Sequence, residues 1–192
     1  MKLILSTNNL HKLREVREII TTQIELLSLS DIGFSGDIPE EKDTLEGNAS
    51  QKSHYIFDKF KENCFADDTG LEVDALGGRP GVYSARYAGE HCSFLDNMEK
   101  LLEEMDGLSN RRARFRTVIS LIVAGEETQF EGIVDGEITE KMMGSGGFGY
   151  DAVFKPEGYD QTFAEMSMSE KNKISHRARA LDNLAELLRE LN

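Results

Sequence analysis

Proline is scarce in this chain, with three in 192 residues, at Pro39, Pro80 and Pro156. No repeat, low-complexity tract or polar linker is present either, which excludes a Pro-rich spacer and a string of loosely tethered modules. Cysteine is scarcer still. Cys64 and Cys92 have no metal-ligand spacing, and in a reducing cytoplasm no disulfide is expected between them. No apolar run approaches the length of a membrane span, so a membrane partner is not expected. Met1–Leu5 is too short for a secretory leader before the sequence turns polar at Ser6, and the segment is read as a first buried strand in a cytoplasmic protein. Positive charge is in deficit: 22 Lys and Arg against 35 Asp and Glu leave −13. Such a chain is repelled by nucleic-acid backbones, so a nucleic-acid partner is disfavoured. The same field opposes any phosphate-bearing ligand unless Lys, Arg and a divalent cation reverse its sign locally. The pattern GxxxxGK[ST] is missing as well, which excludes a kinase-type phosphate loop.

What the chain does contain is enough for a core. With 39% hydrophobic residues and 192 positions, it fits a single domain over 1–192, or one domain with two lobes around a cleft. Leu3–Leu5 reads as a strand and Ser6–Asn9 as a polar turn. A helix follows, with Leu10, Leu13, Val16 and Ile20 recurring every three or four residues. Asp43-Thr44-Leu45-Glu46 resembles a capping box opening a second helix that runs to about Lys61. Phe65-Ala66 is a short buried strand ending at Asp67-Asp68. Ser93 caps a third helix, with Phe94, Met98, Leu101, Leu102 and Met105 inward. Phe115–Ala124 and Thr128–Val134 make a hairpin turned by Gly125-Glu126-Glu127, and Tyr150–Phe154 is a further strand. The last helix spans about Ile174–Leu191, with Ala178, Leu181, Leu184 and Leu188 on one face. Helices interleaved with strands predict an α/β fold with a mixed sheet.

Five polar clusters punctuate these elements. Ser6-Thr7-Asn8-Asn9-Leu10-His11-Lys12 joins a strand to a helix N-terminus, where unpaired N–H groups and a lysine favour an anion; ordinary helix capping is the plainer reading. Asp67-Asp68-Thr69 closes an apolar strand, so the two carboxylates point to opposite sides. Their hard oxygens suit Mg²⁺, with Glu40 and Glu41 as candidates for a further carboxylate; a solvated acidic turn is the alternative. Leu76–Tyr87, with Gly77, Gly78, Gly81 and Arg86, is a structured loop that either binds a phosphate or only holds the fold. In Gly146-Gly147-Phe148-Gly149-Tyr150-Asp151, glycines let a flat ligand approach, Phe148 can stack on a base and Asp151 can accept from its edge; a glycine-kinked approach to a strand is the alternative. Glu170–Arg177 places Lys171, His176 and Arg177 around the start of the last helix, where basic residues are unfavourable without an acceptor partner.

STNNLHK, ADDTGLEVDALGGRPGVYSARYAGE, GGFGYDAVF and EKNKISHRARAL, in this order and at domain-wide spacing, resemble the inosine-triphosphate/xanthosine-triphosphate pyrophosphatases, the Ham1-like noncanonical purine NTP pyrophosphatases. The resemblance spans nearly the whole chain. It implies a two-lobed α/β fold around a long mixed central sheet with flanking helices, an active-site cleft between the lobes, and a homodimer. It further implies Mg²⁺-dependent hydrolysis of ITP, dITP and XTP to the monophosphate and pyrophosphate. By position, Thr7, Asn8, Asn9, Leu10, His11 and Lys12 would bind the triphosphate. Asp68 would be catalytic and would hold the metal with Glu40, and Thr69 would touch substrate. Phe148, Gly149, Tyr150 and Asp151 would hold base and sugar, and Lys171, His176 and Arg177 would complete the pocket. One departure stands out: the family pattern T-F-x-E-N-A reads Thr44-Leu45-Glu46-Gly47-Asn48-Ala49 here, with the glutamate one place early. A shift of one residue rotates a helical side chain by about 100°, so the family glutamate's role does not pass to Glu46.

Hydrolysis at the α-phosphorus needs positioning and charge neutralisation more than covalent chemistry. Asp68 or Asp67 would take the proton of the attacking water, and Lys12 would stabilise the leaving pyrophosphate. Two other functions compete. A nucleotide sensor without turnover would have no need of Asp67 and Asp68. A pyrophosphatase of ordinary or pyrimidine triphosphates is disfavoured by Ser175-His176-Arg177, which belongs with the purine-selective pattern.

Overall fold

The structure, a computed structural model, describes residues 1–20 and 24–190. Its strands are β1 (Lys2–Leu5), β2 (Glu25–Leu27), β3 (Cys64–Val73), β4 (Pro80–Gly81), β5 (Arg112–Val123), β6 (Glu126–Ile138) and β7 (Phe154–Pro156). Its α-helices are α1 (Leu10–Ile19), α2 (Leu45–Phe60), α3 (Phe94–Glu104), α4 (Met168–Ile174) and α5 (His176–Glu190). The strands form one seven-stranded sheet in the order β2-β1-β3-β5-β6-β7, with β4 added on β3. It is mixed: β1 runs parallel to β2 and β3, whereas β3–β4 and β6–β7 are antiparallel. The α/β fold with a mixed sheet is the one expected.

By packing, the chain divides into two compact units, 1–68 with 117–132 and 177–192, and 69–116 with 133–176. In the first unit β1 is buried on both faces, as a parallel inner strand requires. Leu3 and Leu5 pack with Val16, Phe65 and the α5 residues Leu181, Leu184 and Leu188. Ile4 points the other way, to Leu29, Phe34, Ile56 and Ile122. In the second unit Leu71, Leu101, Met105, Phe115, Phe154 and Phe163 make a single core.

Local chemistry sets the element ends. Ser93 caps α3 in a reciprocal box with Asp96. The cap of α2 is Thr44, not Asp43: Thr44 Oγ1 accepts from the N–H of Gly47, which has no side chain to return the bond. A Cβ at Gly47 would sit 2.8 Å from Lys42 Cβ, so glycine is what lets Lys42 pack there. The hairpin turns on Ala124-Gly125, both at positive φ, as a two-residue turn between twisted strands demands; Glu126 and Glu127 already belong to β6.

Several expectations are corrected. β3 continues through Val73, so Asp67 and Asp68 lie mid-strand. Tyr150–Val153 is not strand: bonds from Asp151 N to Phe148 O and from Val153 N to Tyr150 O fold it into turns before β7. The last helix, α5, opens at His176 rather than Ile174, because Ser175 is extended at φ −67°, ψ 152°; a separate helix that was not expected, α4, precedes it. The expected end at Leu191 lies outside the described residues. Phe94, expected inward, is 42% exposed, and Leu10, counted in the apolar period of α1, is 73% exposed.

Candidate active site

In the first unit, charged side chains converge on the middle of β3. Strand alternation sends Asp67 and Asp68 to opposite sides, and each finds its own cations. Asp67 is 1% exposed. Its Oδ2 lies 3.2 Å from Lys12 Nζ and 3.1 Å from Arg177 Nε. Arg177 also donates through Nη1 to Glu15 of α1, so a buried Glu15–Arg177–Asp67 chain ties α5 to α1 and β3. Asp68 Oδ1 takes a bond of 2.9 Å from Lys52 Nζ, and Oδ2 one of 3.3 Å from Asn48 Nδ2. Lys52 Nζ also reaches Glu40 Oε1 at 2.6 Å and the Asp67 carbonyl at 2.8 Å. Asn48 and Lys52 are four apart on α2 and so share a face.

The two neighbouring carboxyls are shifted in opposite directions, Asp67 by its cations and Asp68 by burial. Burial opposes charge on Asp67, but Lys12, Arg177 and Lys52 outweigh it and hold the carboxyl well below the usual range. Burial lifts Asp68 above its ordinary value, against the pull of Lys52 and Lys12. Burial also lowers Lys12, only partly offset by Asp67. Lys52 is raised despite burial, because Asp68, Glu40 and Asp67 all face it. One carboxylate is thus pinned in its ionised form and its neighbour is not, the arrangement that separates a structural anion from a proton acceptor.

The loop ahead of α1 is fastened from within. Asn9 Oδ1 accepts from the N–H groups of His11 (2.9 Å) and Lys12 (3.2 Å). Thr7 Oγ1 accepts from Asn9 N at 3.2 Å, and Asn8 Nδ2 donates to Gly36 O at 2.9 Å. The first turn of α1 carries no acidic residue, so no carboxylate there opposes an anion, although Asn9 caps two of its N–H groups. Leu10 and His11 are exposed beside it.

The second unit holds an aromatic cluster and the buried ion pair Lys171–Asp151. Lys171 Nζ bonds Asp151 Oδ2 at 2.7 Å, both side chains being 5% exposed or less. The same oxygen accepts from Phe148 N at 2.9 Å. Lys171 Nζ lies 4.9 Å from the centre of the Phe148 ring, a cation–π contact. His176 stacks on Phe115 with ring centres 4.5 Å apart and planes at 16°. Tyr150 is buried, its hydroxyl donating to Ser84 O at 2.9 Å. Gly147 has φ +70°, and a Cβ there would stand 2.0 Å from Asp151 Oδ2. Thr69 follows Asp68 on β3, half-buried.

A family model described as the Ham1 family matches residues 3–187. The chain belongs to the Ham1 family. It is 52% identical over 188 residues to a protein named dITP/XTP pyrophosphatase from Flavobacterium johnsoniae, covering 98% of each chain. A protein of the same name from Porphyromonas gingivalis is 50% identical over 188 residues, with 97% of each chain covered. Among solved structures, the Staphylococcus aureus Ham1 protein superposes with a TM-score of 0.91 at 37% identity, covering 100% of both chains.

Within this Ham1-family chain, the structure gathers Lys12, Glu40, Asp68 and Arg177 around β3, and Phe148, Asp151 and Lys171 in the second unit. Lys52, Asn48 and Glu15 were missed in the sequence. Their signal is phase: Asn48 and Lys52 fall in register with Leu45, Ala49 and Ile56 on the buried side of α2, and Glu15 adjoins Val16 on the buried side of α1. A charged residue in phase with an apolar face needs a partner. Among the described residues no group of three or more His, Cys, Asp or Glu stands ready to hold a metal. Asp68 and Glu40 nevertheless converge on one ammonium, Lys52 Nζ, so both can present oxygen to the same point of positive charge. Mg²⁺ is commonly held by one or two carboxylates together with water and substrate phosphates, and this pair fits it.

Proposed function

We propose that the protein hydrolyses noncanonical purine nucleoside triphosphates (ITP, dITP and XTP) to the nucleoside monophosphate and pyrophosphate, as a cytoplasmic homodimer dependent on Mg²⁺. The observation that carries this reading is the pair Asp67–Asp68, one carboxylate locked by Lys12 and Arg177, the other turned to Lys52 and Glu40. Among the described residues no helix is long and apolar enough to cross a membrane.

Water attacks the α-phosphorus, a P–O bond to water forms, and the bond to the β-phosphate bridging oxygen breaks. Asp68 accepts the proton of the water; Asp67 is already committed to Lys12 and Arg177. The acid-free first turn of α1, with Thr7–Lys12, receives the polyphosphate, and Lys12 stabilises the departing pyrophosphate. Mg²⁺ held by Asp68 and Glu40 would supply neutralisation of phosphate oxygens and orientation of the water. Thr69 adjoins Asp68 and contacts the substrate.

The base falls to the second unit's residues and to the start of α5. Phe148, bordered by Gly149, offers a stacking face, and Lys171 and Asp151 hold that loop in place. Arg177 directs Nε to Asp67 and Nη1 to Glu15, and donation to a 6-oxo group is assigned to His176, Arg177 and the N–H groups opening α5. Adenine's 6-amino group would set donor against donor, a mismatch able to discriminate by roughly 10⁴-fold.

The test is pyrophosphate release with Mg²⁺ from ITP, XTP, ATP, GTP and dUTP. Strong release from ITP and XTP with ATP far slower is expected. Equal rates on all five would remove base selectivity, and no release from any would remove the hydrolytic reading. Sedimentation of the purified protein checks the dimer.

A further inference from the structure

The middle of α2 carries Asn48 and Lys52, yet it is poorly anchored by apolar packing. Between Leu45 and Ile56, Ala49 is the only buried apolar residue of the helix. What fastens this stretch is polar. Glu127, at the start of β6, receives α2 on its carboxylate: Ser50 Oγ donates to Oε2 at 3.2 Å, and His54 Nε2 lies 2.9 Å from the same oxygen. Its Oε1 takes bonds from Ser120 Oγ at 2.7 Å and Gln129 Nε2 at 3.0 Å. Ser120 Oγ in turn lies 2.6 Å from Ser53 Oγ of α2, and Gln129 Nε2 reaches the carbonyl of Glu46 at 3.4 Å. One carboxylate therefore collects donors from two successive turns of α2 and from both strands of the hairpin. Every one of these residues lies in the first unit.

We infer that Glu127 is a positioning residue for the reaction: by clamping Ser50, Ser53 and His54 of α2 to the β5–β6 hairpin, it fixes the helix so that Lys52 meets Asp68 and Glu40. The inference rests on the reading of Lys52 as part of the acid site. Its logic is directional. Ser50 and His54 bracket Lys52 in sequence, so a displacement of this turn by a fraction of an ångström moves Nζ off contacts of 2.6–2.9 Å. The Glu127 side chain is 26% exposed at the solvent edge, whereas Ser120 and Ser53 behind it are fully buried, so the inner half of the clamp cannot trade its bonds for water. Glu127 touches neither Asp67 nor Asp68, so its loss acts through Lys52 rather than on the carboxylates themselves.

The test is a double-mutant cycle on kcat and KM for ITP with Mg²⁺, each variant first checked for a cooperative melt by circular dichroism. Glu127→Ala is expected to lower kcat by about tenfold while KM moves by less than about twofold. Glu127→Gln, which keeps the length and one acceptor oxygen, recovers part of the loss. In a Lys52→Ala background, Glu127→Ala should change kcat by less than about twofold, because the residue it positions is gone. If Glu127→Ala does not fold, Ser50→Ala carries the same cycle with a smaller effect. An equal loss with and without Lys52, a loss confined to KM, or no loss at all overturns the positioning role while leaving the acid site standing. A Lys52→Ala protein with unaltered kcat overturns the acid-site reading itself and the clamp with it.

Discussion

Around β3, the first unit buries charge against charge: Asp67, Asp68 and Glu15 interleave with Lys12, Lys52 and Arg177, and the exposed Glu40 closes the set at its edge. The second unit buries the ion pair Lys171–Asp151 among aromatic rings. The first arrangement keeps fixed charges aimed at places where charge develops in a phosphoryl-type reaction. The second offers flat apolar faces with one polar fastening, which suits a planar base more than a changing charge. Alternation of side chains along β3 makes the first possible, and a glycine-rich loop folded onto Asp151 makes the second possible.

Breaking the first arrangement should cost most. Asp68→Asn keeps the shape of the side chain but removes the proton acceptor, and kcat on ITP should fall by about 10³-fold with the thermal melt nearly unchanged. Retention of near-normal turnover would move the base elsewhere. In the second unit the larger effect should be on stability. Asp151→Ala removes the carboxylate used by both Lys171 and the Phe148 N–H, and a loss of about 3 kcal/mol is expected from denaturant titration. A melt like that of the parent would mean the pair contributes little. Phe148→Ala should raise KM for ITP severalfold, from the loss of about 1 kcal/mol of stacking, and leave kcat close to its starting value. A fall in kcat alone would place Phe148 outside base binding.

The smallest effect concerns acid. Burial opposes ionisation of Glu127, but bonds from Gln129, Ser120, His54 and Ser50 pull its carboxyl from 4.5 down to about 2. A depressed folded-state value stabilises the fold above the unfolded value, and the contribution is lost as pH falls from about 4.5 to about 2. Glu127→Gln should therefore flatten the decline of stability over that window. An unchanged slope would mean the carboxylate is no better held in the folded chain than in the unfolded one.

Much of this was legible in the residues. The capping at Ser93, the β5–β6 hairpin and the Ala178–Leu188 stripe of α5 rest on local rules that the tertiary fold did not override. The opposed directions of Asp67 and Asp68 followed from the two-residue period of a strand. The rest was settled by distant partners. β2 and β4 are three and two residues long and exist by pairing with β1 and β3. The helical phase of Lys52 calls for a buried partner, but that the partners are Asp68 and Glu40 is decided only when the fold brings them to it. The Glu15 that receives Arg177 Nη1 lies 162 residues away, so no local rule announces that pair. Tyr150–Phe154 has a strand's composition, but the bonds closing the Phe148–Val153 turns decide its shape.

Asp151 Oδ2 fills the space beside Gly147 where any other residue would carry its first side-chain carbon. Position 147 is thereby closed to mutational drift: the smallest change, to alanine, collides with the carboxylate that Lys171 and the Phe148 N–H both depend on. In a library of random variants selected for activity, Gly147 should tolerate no replacement while Asp151 keeps its carboxylate, so the two positions are inherited as one unit.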